Sequence, residues 1–368
     1  MTVPEPIGVV GAGTMGLGIA QLAAGTGART LLHDPVPDAL AAAPERMARA
    51  LERPVAKGRM TAADAEAIVG RVEPVARISG LAPCAVVIEA APERLELKHE
   101  LFAELAGVVD AGCVLATNTS SLSVTELAAP VAHPERVVGL HFFNPAPVMR
   151  LVEVVAGQAS SAEALATTRA VGEAMGKRVI DARDIAGFLV NRVNRPFSLE
   201  SLRLLQEGVA DAAQIDRIVR LGAGFRMGPF ELMDLIGIDT NHAVAEEFHR
   251  RTYGEPRYRP SAAAARMVAA GTLGRKTGSG WFAYAEGREH RPPDPDPPPA
   301  GGGDGRAVPV AGAGAVADAL RAALAGAGFD PDPATAEPWL TIGCDGPAGQ
   351  GHRLVLVDRA SLHHMDPG

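Results

Sequence analysis

The stretch IGVVGAGTMGLGIA, residues 7–20, restricts the possible folds more than any other part of the chain. An apolar run precedes Gly11, Gly13 and Gly16, which stand in G-x-G-x-x-G spacing, and a helical pattern follows. Gly11 permits a tight turn, Gly13 lets the backbone approach a pyrophosphate, and Gly16 lets helix and strand pack closely. A purely structural Gly turn is the alternative, but the flanking strand and helix favour a dinucleotide site. The predicted cofactor contacts in this turn are Gly11, Gly13, Thr14, Met15 and Gly16.

Residues 28–34, ARTLLHD, predict a second strand that ends at Asp34. A carboxylate at this distance after the Gly-rich turn is suited to accept a hydrogen bond from the 2′-hydroxyl of an adenosine ribose. The same charge repels a 2′-phosphate, and the segment HDPVPD contains no Arg that could receive one. The sequence therefore predicts NAD, in preference to NADP, as the cofactor.

Strand and helix patterns alternate along the first half of the chain. Further strands are predicted at CAVVIEA, CVLATNTSS, ERVVGLHF and RLVEVV, with the helical pattern LELKHELFAELAGVV after the first of them. Such alternation indicates a parallel sheet with helices on both faces. After about Asp181 the pattern becomes helical, with Gly and Pro between the segments, and residues 291–305 have the composition of a linker.

The predicted fold class is α/β: a Rossmann-type doubly wound sheet, an all-helical second domain, a linker and a short degenerate Rossmann-like C-terminal appendage. The predicted bounds are 1–183 for the NAD-binding domain, 184–285 for the helical domain, 286–306 for the Pro/Gly-rich linker and 307–368 for the truncated appendage. The appendage repeats a strand, a turn with Gly312 and Gly314, and a helix with Ala317, and a later strand ends at Asp358. It is too short for a complete nucleotide domain, so we favour a packing or partner-binding role.

Composition excludes several classes of function. The 368 residues are 47% hydrophobic and 21% charged with a formal net charge of −8, which leaves no global basic field for nucleic acid or an anionic membrane. Cys84, Cys113 and Cys344 are widely spaced, so they indicate a reducing compartment and neither a disulfide framework nor a metal site. We find no signal peptide pattern and no apolar run of about 18 residues, and we expect a cytoplasmic protein.

The segment HFFNPAPVMRLVEVV, residues 141–155, joins two predicted strands and places a polar group on each. His141 ends the first strand, and Glu153 lies inside the second, where an apolar side chain would suit a core better. Ligands of such sheets bind outside the carboxyl ends of the strands. There a neutral imidazole could take the proton of an alcohol while hydride leaves the adjacent carbon, and Glu153 could orient the ring. On spacing alone, a structural His is the more common case.

Two further polar residues are candidates for the same site. Ser120, in TNTSSL after the fourth strand, offers a hydroxyl donor, and Asn191, in GFLVNR, lies on the helix that enters the second domain. An amide at that place could polarise a carbonyl oxygen. The alternative for Asn191 is a helix cap, which is the usual role of Asn at the start of a helix.

Seven ordered segments resemble the L-3-hydroxyacyl-CoA dehydrogenase family, which includes the 3-hydroxybutyryl-CoA dehydrogenases. They are GAGTMGLGIA, VIEAAPERLELKHELF, ATNTSSLSVTEL, RVVGLHFFNPAPVMRLVEVV, DIAGFLVNRV, GAGFRMGPFELMDLIGIDT and LGRKTGSGWFAY. The resemblance extends from about residue 5 to 285. It implies a Rossmann-type domain followed by a helical domain that forms a homodimer.

The family motifs imply roles for individual residues at the chemistry. His141, in HFFNP, matches the family's general base, and Glu153, twelve residues on, matches the carboxylate that orients it. Ser120 of NTSS and Asn191 of GFLVNR match residues that contact the substrate oxygens.

The resemblance also implies a set of cofactor contacts outside the Gly-rich turn. They are Glu93, Lys98, Ser120, Asn144 and Lys276. Asn144 would lie beside the nicotinamide. Without the resemblance, Glu93 and Lys98 would be assigned to an ordinary solvated helix face.

The carrier of the acyl group is implied less directly. By similarity, the helix-rich insert after the second strand receives the adenine and phosphates of CoA. Lys57 matches a family lysine near that phosphate, with Arg53 and Arg59 beside it, while an ordinary solvated charge run is the alternative. Pro54 is expected to kink or end the helix on this side. Ala186 stands where the family usually has Pro, which could loosen the interdomain hinge.

Three functions stay open. The first, which we expect, is NAD-dependent oxidation of an L-3-hydroxyacyl-CoA thioester to the 3-oxoacyl thioester. The second is an alternative that keeps this chemistry but uses an acyl-carrier-protein thioester, such as glyceryl-ACP on the way to hydroxymalonyl extender units of a polyketide pathway; the altered CoA side and the appendage make it plausible. The third is a non-catalytic NAD-binding regulatory or assembly protein, which would need neither a base nor its orienting carboxylate.

Overall fold

The computed structural model describes residues 4–285, 289–294, 303, 305–312, 315–332, 341–344, 353–357 and 361–366. The chain divides into two compact units, Met1–Arg291 and Pro292–Gly368. In its described part, the first unit contains an eight-stranded sheet and the helices that cover and follow it, and the second contains a four-stranded sheet with a helix.

The sheet of the first unit is built from short strands. They are β1 (Ile7–Val10), β2 (Thr30–His33), β3 (Val72–Val75), β4 (Val86–Glu89), β5 (Val114–Thr117), β6 (Val137–Phe142), β7 (Leu151–Ala156) and β8 (Arg178–Arg183). Their order is β3-β2-β1-β4-β5-β6-β7-β8. The direction of strand addition reverses between β1 and β4, and such a reversal opens a ligand crevice at the carboxyl ends of the strands.

Helices connect these strands and continue beyond the sheet. The connecting helices are α1 (Thr14–Gly25), α2 (Pro37–Ala41), α3 (Ala43–Ala56), α4 (Ala62–Gly70), α5 (Leu95–Val108), α6 (Val124–Ala128) and α7 (Ala162–Ala174). The helices after the sheet are α8 (Val190–Gln206), α9 (Ala212–Ala223), α10 (Pro229–Ile236), α11 (Ile238–Arg251) and α12 (Ala262–Ala269).

The central strands are buried on both faces because successive side chains point to opposite sides of the sheet. In β6, Val138 and Leu140 belong to the core on one face, and Val137 belongs to the core on the other. Phe102 of α5 fills the second core and is fully buried. The predicted α/β class, with a doubly wound sheet followed by helices, is therefore confirmed.

Two features of the sheet differ from the sequence prediction. The edge strands β3 and β8 were not predicted, because half or more of their residues are at least partly exposed and their sequences carry charged residues or Pro. The sheet is also not purely parallel, since β7 runs antiparallel to β6. A turn of eight residues between these strands is too short for a parallel crossover, which needs a dozen or more.

Pro54 lies inside helix α3, which ends two residues after it, and a kink at Pro54 stays a prediction. The helix continues through Pro54 to Ala56, and Lys57 occupies the C-cap. Pro removes a single N–H from the ladder, and near the end of a helix that loss is small. The amide N–H of Lys57 still donates to the carbonyl of Arg53 at 3.1 Å.

Buried carboxylates fix the helices that follow the sheet. Asp216 of α9 accepts the backbone N–H groups of Phe230 and Glu231 at 2.9 and 2.8 Å, and it thereby caps α10. Asp234 of α10 accepts the N–H groups of the segment at Trp281. No helix in the described ranges combines the length and apolar character needed to cross a membrane.

The junction between sheet and helices is tied on both sides. Asp184 accepts a hydrogen bond from the hydroxyl of Ser123 at 2.7 Å and receives two backbone N–H groups of α6. Ala186 packs against a small apolar cluster that contains Phe248 and Tyr258. A looser hinge at Ala186 stays a prediction.

The second unit has the strand, helix and strand order that its sequence predicts. It contains β9 (Val310–Ala311), α13 (Ala315–Gly326), β10 (Thr341–Cys344), β11 (Arg353–Val357) and β12 (Ser361–Asp366), with strand order β12-β11-β10-β9. The pairs β9–β10 and β10–β11 are parallel, and β11–β12 is antiparallel. Gly314 and Asp358 lie outside the described residues, and the role of the appendage stays a prediction.

Candidate active site

The Gly-rich turn joins β1 to α1 at the point where the strand order reverses. Gly11 has φ +107°, and a Cβ there would lie 2.6 Å from the carbonyl oxygen of Ala90. A Cβ on Gly16 would lie 1.8 Å from the carbonyl oxygen of Gly11, whereas one on Gly13 would meet no atom within 4 Å. Gly11 and Gly16 are thus needed for the turn itself, and Gly13 leaves open space beside the helix N-terminus.

The N-terminus of α1 suits a pyrophosphate. Its N-cap, Gly13, makes no side-chain cap hydrogen bond, and the first turn holds no acidic residue. The N–H groups of Thr14, Met15 and Gly16 therefore point toward the open space with the positive end of the helix dipole behind them. The residues fit a bound dinucleotide.

Asp34 follows β2 and closes the turn from the other side. Its Oδ2 accepts the N–H of Ala12 at 2.6 Å, and its Oδ1 accepts the N–H of Val36 at 2.8 Å. Each carboxylate oxygen keeps acceptor capacity for a ribose hydroxyl. The structure also brings Arg46 of α3 to this turn, where its guanidinium donates to the carbonyl of Ala12 at 2.9 Å. The sequence does not predict this Arg at the turn, because it lies twelve positions after Asp34.

His141 and Glu153 stand directly opposite each other in the antiparallel pair of β6 and β7. Nδ1 of His141 lies 2.7 Å from Oε2 of Glu153, and both side chains are buried. A carboxylate can only accept, so the ring carries its proton on Nδ1 and leaves Nε2 with a free lone pair. The predicted pairing of base and orienting carboxylate is geometrically in place.

Two aromatic rings hold the imidazole from its sides. The centroid of Phe143 lies 4.5 Å and that of Phe188 lies 5.6 Å from the centroid of His141. Asn118, at the end of β5, accepts the N–H of Phe142 at 2.8 Å and so joins the ends of β5 and β6. Since the loop after β5 contains Ser120, it lies at the same edge of the sheet as His141.

The other oxygen of Glu153 binds the start of α8. Oε1 accepts the N–H groups of Leu189 and Val190 at 2.9 and 2.8 Å. Asn191 is the second residue of α8, whose N-cap is Leu189 and has no side-chain cap hydrogen bond. The helix-cap alternative for Asn191 is therefore wrong, and its amide is half-buried next to the residues that Glu153 holds.

The loop that contains Ser120 is held by Glu93. Oε1 of Glu93 accepts the N–H groups of Ser120 and Ser121, each at 2.9 Å, and the hydroxyl of Thr119 at 2.6 Å. Its Oε2 lies 2.9 Å from the ammonium of Lys98. Burial opposes the charge, but the Lys98 ammonium and these donors lower the pKa of Glu93 to about 2. The solvated helix face is wrong for Lys98, whose side chain is only 1% exposed.

The remaining predicted residues are not joined to this set by any contact in the described part of the chain. Asn144 is exposed on the turn after β6. Lys57 is exposed at the end of α3. Lys276 forms an ion pair with Asp239 at 2.5 Å. Cofactor contact by Lys276 and phosphate contact by Lys57 stay predictions.

Three residues that support the site were missed in the sequence. Asn118 is a polar residue at a strand end, two residues before Ser120, and could have been found by that position. Glu89 ends the apolar strand β4, which is the same signal that singled out Glu153. Lys177 donates to the carbonyls of Ala146 and Met149 at 2.6 and 2.8 Å, within the turn between β6 and β7, and its sequence context gave no signal.

Two family models match the chain in order. "3-hydroxyacyl-CoA dehydrogenase, NAD binding domain" matches residues 6–185, and "3-hydroxyacyl-CoA dehydrogenase, C-terminal domain" matches residues 187–284. The chain belongs to the 3-hydroxyacyl-CoA dehydrogenase family. The resemblance found in the sequence is thereby confirmed, and NAD is the cofactor of its sheet domain.

Individual relatives agree with this family. The 3-hydroxyadipyl-CoA dehydrogenase of Escherichia coli (strain K12) is 45% identical over 285 residues, which are 77% of this chain and 60% of that protein. A probable 3-hydroxybutyryl-CoA dehydrogenase of Bacillus subtilis (strain 168) is 39% identical, covering 77% of this chain and 98% of the relative. The crystal structure of (S)-3-hydroxybutyryl-CoA dehydrogenase from Ralstonia eutropha is 38% identical with a TM-score of 0.74, covering 77% of this chain and 100% of that chain. The carrier-protein alternative finds no support among these names.

Proposed function

We propose that the protein oxidises an L-3-hydroxyacyl-CoA thioester to the 3-oxoacyl thioester with NAD. The observation that carries the proposal is the buried pair of His141 and Glu153, whose atoms Nδ1 and Oε2 lie 2.7 Å apart at the carboxyl edge of an NAD-binding sheet. A protein that only binds the cofactor has no need of this pair. The names of the E. coli and B. subtilis relatives support a CoA thioester as the substrate.

The chain's own residues account for the proton in this reaction. NAD supplies the acceptor for the hydride that leaves C3 of the substrate. Nε2 of His141 takes the hydroxyl proton, since Nδ1 already carries one. Glu153 faces the positive charge that then develops on the ring, and the two N–H groups of α8 fix the position of this carboxylate.

Two side chains are assigned to the substrate oxygens. Ser120 lies at the carboxyl edge on a loop whose backbone Glu93 fixes, so its hydroxyl can be directed at the 3-oxygen. Asn191 approaches from the first turn of α8, and an amide N–H there stabilises charge on a carbonyl oxygen. Both groups are neutral donors, as expected for an oxygen that changes between hydroxyl and carbonyl.

The phosphates of CoA are assigned to the end of α3. Arg53, Lys57 and Arg59 are exposed there, and none of the three forms an ion pair within the described residues. Three neighbouring cations without carboxylate partners leave a local positive charge that phosphate groups can neutralise. Lys57→Ala should raise KM for acetoacetyl-CoA and leave KM for acetoacetyl-pantetheine, which lacks the nucleotide, unchanged.

We further propose a homodimer that forms through the helices after the sheet. These helices expose large apolar side chains, including Val193, Ile218, Leu221 and Phe225, with exposed fractions of 70%, 60%, 58% and 51%. Light scattering with size-exclusion chromatography tests the dimer. We place the protein in the cytoplasm, since Cys84 and Cys113 are free thiols.

The test of the proposed function is NADH oxidation with acetoacetyl-CoA and NAD reduction with 3-hydroxybutyryl-CoA and 3-hydroxyadipyl-CoA. His141→Ala should lower kcat by about 10²- to 10⁴-fold, the usual contribution of a general base, while NADH binding stays unchanged. Turnover that survives this substitution would return the protein to the non-catalytic alternative. A rate on an acyl-carrier-protein substrate only would reject the CoA thioester.

A further inference from the structure

Glu89 is a buried acidic residue that the proposed reaction does not use. It is the last residue of β4, between β1 with the Gly-rich turn and β5 with the Ser120 loop, and its side chain is fully buried. A carboxylate in such a place destabilises the fold unless hydrogen bonds and a counter-charge compensate it.

The side chain of Glu89 contacts residues beside the Gly-rich turn and residues that support the Ser120 loop. Oε1 accepts the N–H of Ala91 at 2.6 Å and lies 3.1 Å from the ammonium of Lys98. Oε2 accepts the hydroxyl of Thr117, the last residue of β5, at 2.6 Å. Ala91 follows Ala90, whose carbonyl stands against Gly11. One side chain therefore connects the two strand ends on which the site is built.

Lys98 joins Glu89 to Glu93, since its ammonium pairs with both carboxylates. Its ammonium lies between the two carboxylates, 3.1 Å from Glu89 and 2.9 Å from Glu93. Glu93 in turn binds the N–H groups of Ser120 and Ser121. A buried ammonium is unfavourable unless opposite charges lie next to it. The position of Lys98 therefore depends on both carboxylates.

We propose that Glu89 is a positioning residue: through Lys98 and Glu93 it fixes the backbone of Ser120 and Ser121 for substrate binding. The inference rests on the proposed function for its kinetic consequence only. Because its side chain is fully buried, Glu89 acts on substrate binding through these neighbours and not by direct contact. It sets where Lys98 holds Glu93, and with it the place of the Ser120 hydroxyl. A shift of about 1 Å in such a group is enough to change turnover by orders of magnitude.

The first readout is amide exchange, which needs no substrate. In Glu89→Ala, the peptide that contains Ser120 and Ser121 should exchange about tenfold faster, because Lys98 no longer fixes the position of Glu93, which accepts their N–H groups. Glu89→Gln keeps the shape and an acceptor for Lys98, so its exchange should stay near the wild-type rate. Glu100→Ala removes an exposed carboxylate from α5, the helix that carries Lys98, and should change nothing.

The second readout is kinetic. Glu89→Ala should raise KM for acetoacetyl-CoA about tenfold, whereas Glu89→Gln should have a KM close to that of the wild type. A purely structural role predicts a lower Tm with unchanged KM and unchanged exchange at Ser120 and Ser121, and that result overturns the inference. If Glu89→Ala does not fold, Glu89→Asp withdraws the carboxylate from Lys98 and Thr117, and unchanged exchange in that variant rejects the inference equally.

The two proposals fail in different ways. Wild-type protein that binds NADH but turns over no CoA thioester rejects the proposed function, while the exchange experiment still decides the role of Glu89. Active wild-type protein with an unaltered Ser120 loop in Glu89→Ala rejects the positioning role and leaves the proposed function intact.

Discussion

Glu153 holds His141 with one carboxylate oxygen and the start of helix α8 with the other. Oε2 lies 2.7 Å from Nδ1 of the imidazole, and Oε1 accepts two backbone N–H groups of α8. The proton-accepting ring and the helix that carries Asn191 are thereby fixed by a single side chain. Because different oxygens make these contacts, one substitution at Glu153 can change the tautomer of His141 without moving Asn191, and another can change both.

Glu153→Gln should keep the helix and lose the base. The Gln carbonyl can still accept from Leu189 and Val190, but its NH₂ group would face Nδ1 of His141 and draw the ring proton to Nε2. We expect kcat to fall by about 10²-fold or more with a nearly unchanged Tm. Glu153→Ala removes both contacts and should also lower the Tm. Near-wild-type kcat in the Gln variant would contradict the assigned tautomer.

Gly13 and Gly16 should respond in opposite ways to the same small substitution. A Cβ at Gly16 would lie 1.8 Å from the carbonyl oxygen of Gly11, so Gly16→Ala should unfold the turn and lower the Tm strongly. A Cβ at Gly13 meets no atom within 4 Å, so Gly13→Ala should fold normally but bind NADH weakly, because the methyl occupies the pyrophosphate's approach. Melting curves and NADH titrations check both variants. Tight NADH binding by Gly13→Ala would contradict a pyrophosphate position next to Gly13.

Asp34 should set the preference for NAD. Asp34→Asn keeps an acceptor for only one of the N–H groups of Ala12 and Val36, and it removes the negative charge that repels a 2′-phosphate. We expect the ratio of kcat/KM for NAD over NADP to fall about tenfold, because losing a Coulomb repulsion of about 1–2 kcal/mol near the surface corresponds to a change of this size. Arg46→Ala is the matched control, since it alters the same turn without changing Asp34. If the ratio falls only in the Arg46 variant, the selectivity has been assigned to the wrong residue.

Asp216 should make stability depend on pH. Burial, opposed by two backbone N–H donors, raises the pKa of this carboxyl from 3.8 to about 6. The folded state then binds more protons than the unfolded state between these values. The contribution of Asp216 to the free energy of unfolding is fully present below about pH 4 and is lost as the pH rises through 6.

The check is the free energy of unfolding of wild type and Asp216→Asn at pH values between 4 and 7. The variant should be less stable throughout, because one of the N–H groups of Phe230 and Glu231 loses its acceptor. The difference between the two proteins should shrink as the pH rises, since only the wild type carries the titrating group. A constant difference across this range would contradict the assigned direction.

Local chemistry explains why part of this site was predictable. The Gly turn and Asp34 lie within one strand–helix–strand segment, so their spacing along the chain already places them together. His141 and Glu153 stood out because each is a polar residue in an apolar strand. The family resemblance named Lys98, but its burial could not be predicted, because its helix position resembles a solvated one. The two carboxylates that pair with it come from residues before the helix.

The sequence by itself determined the sheet's first strands, the dinucleotide turn, the choice of NAD and the candidates for the chemistry. These follow from periodicity and from spacing over a few residues, which act wherever the segment lies. Only the tertiary structure decided that β7 runs antiparallel to β6 with Glu153 directly opposite His141, and that the remaining oxygen of Glu153 receives α8. Strand direction and register depend on which distant residues can pair and bury their side chains, so they exist only in the folded chain.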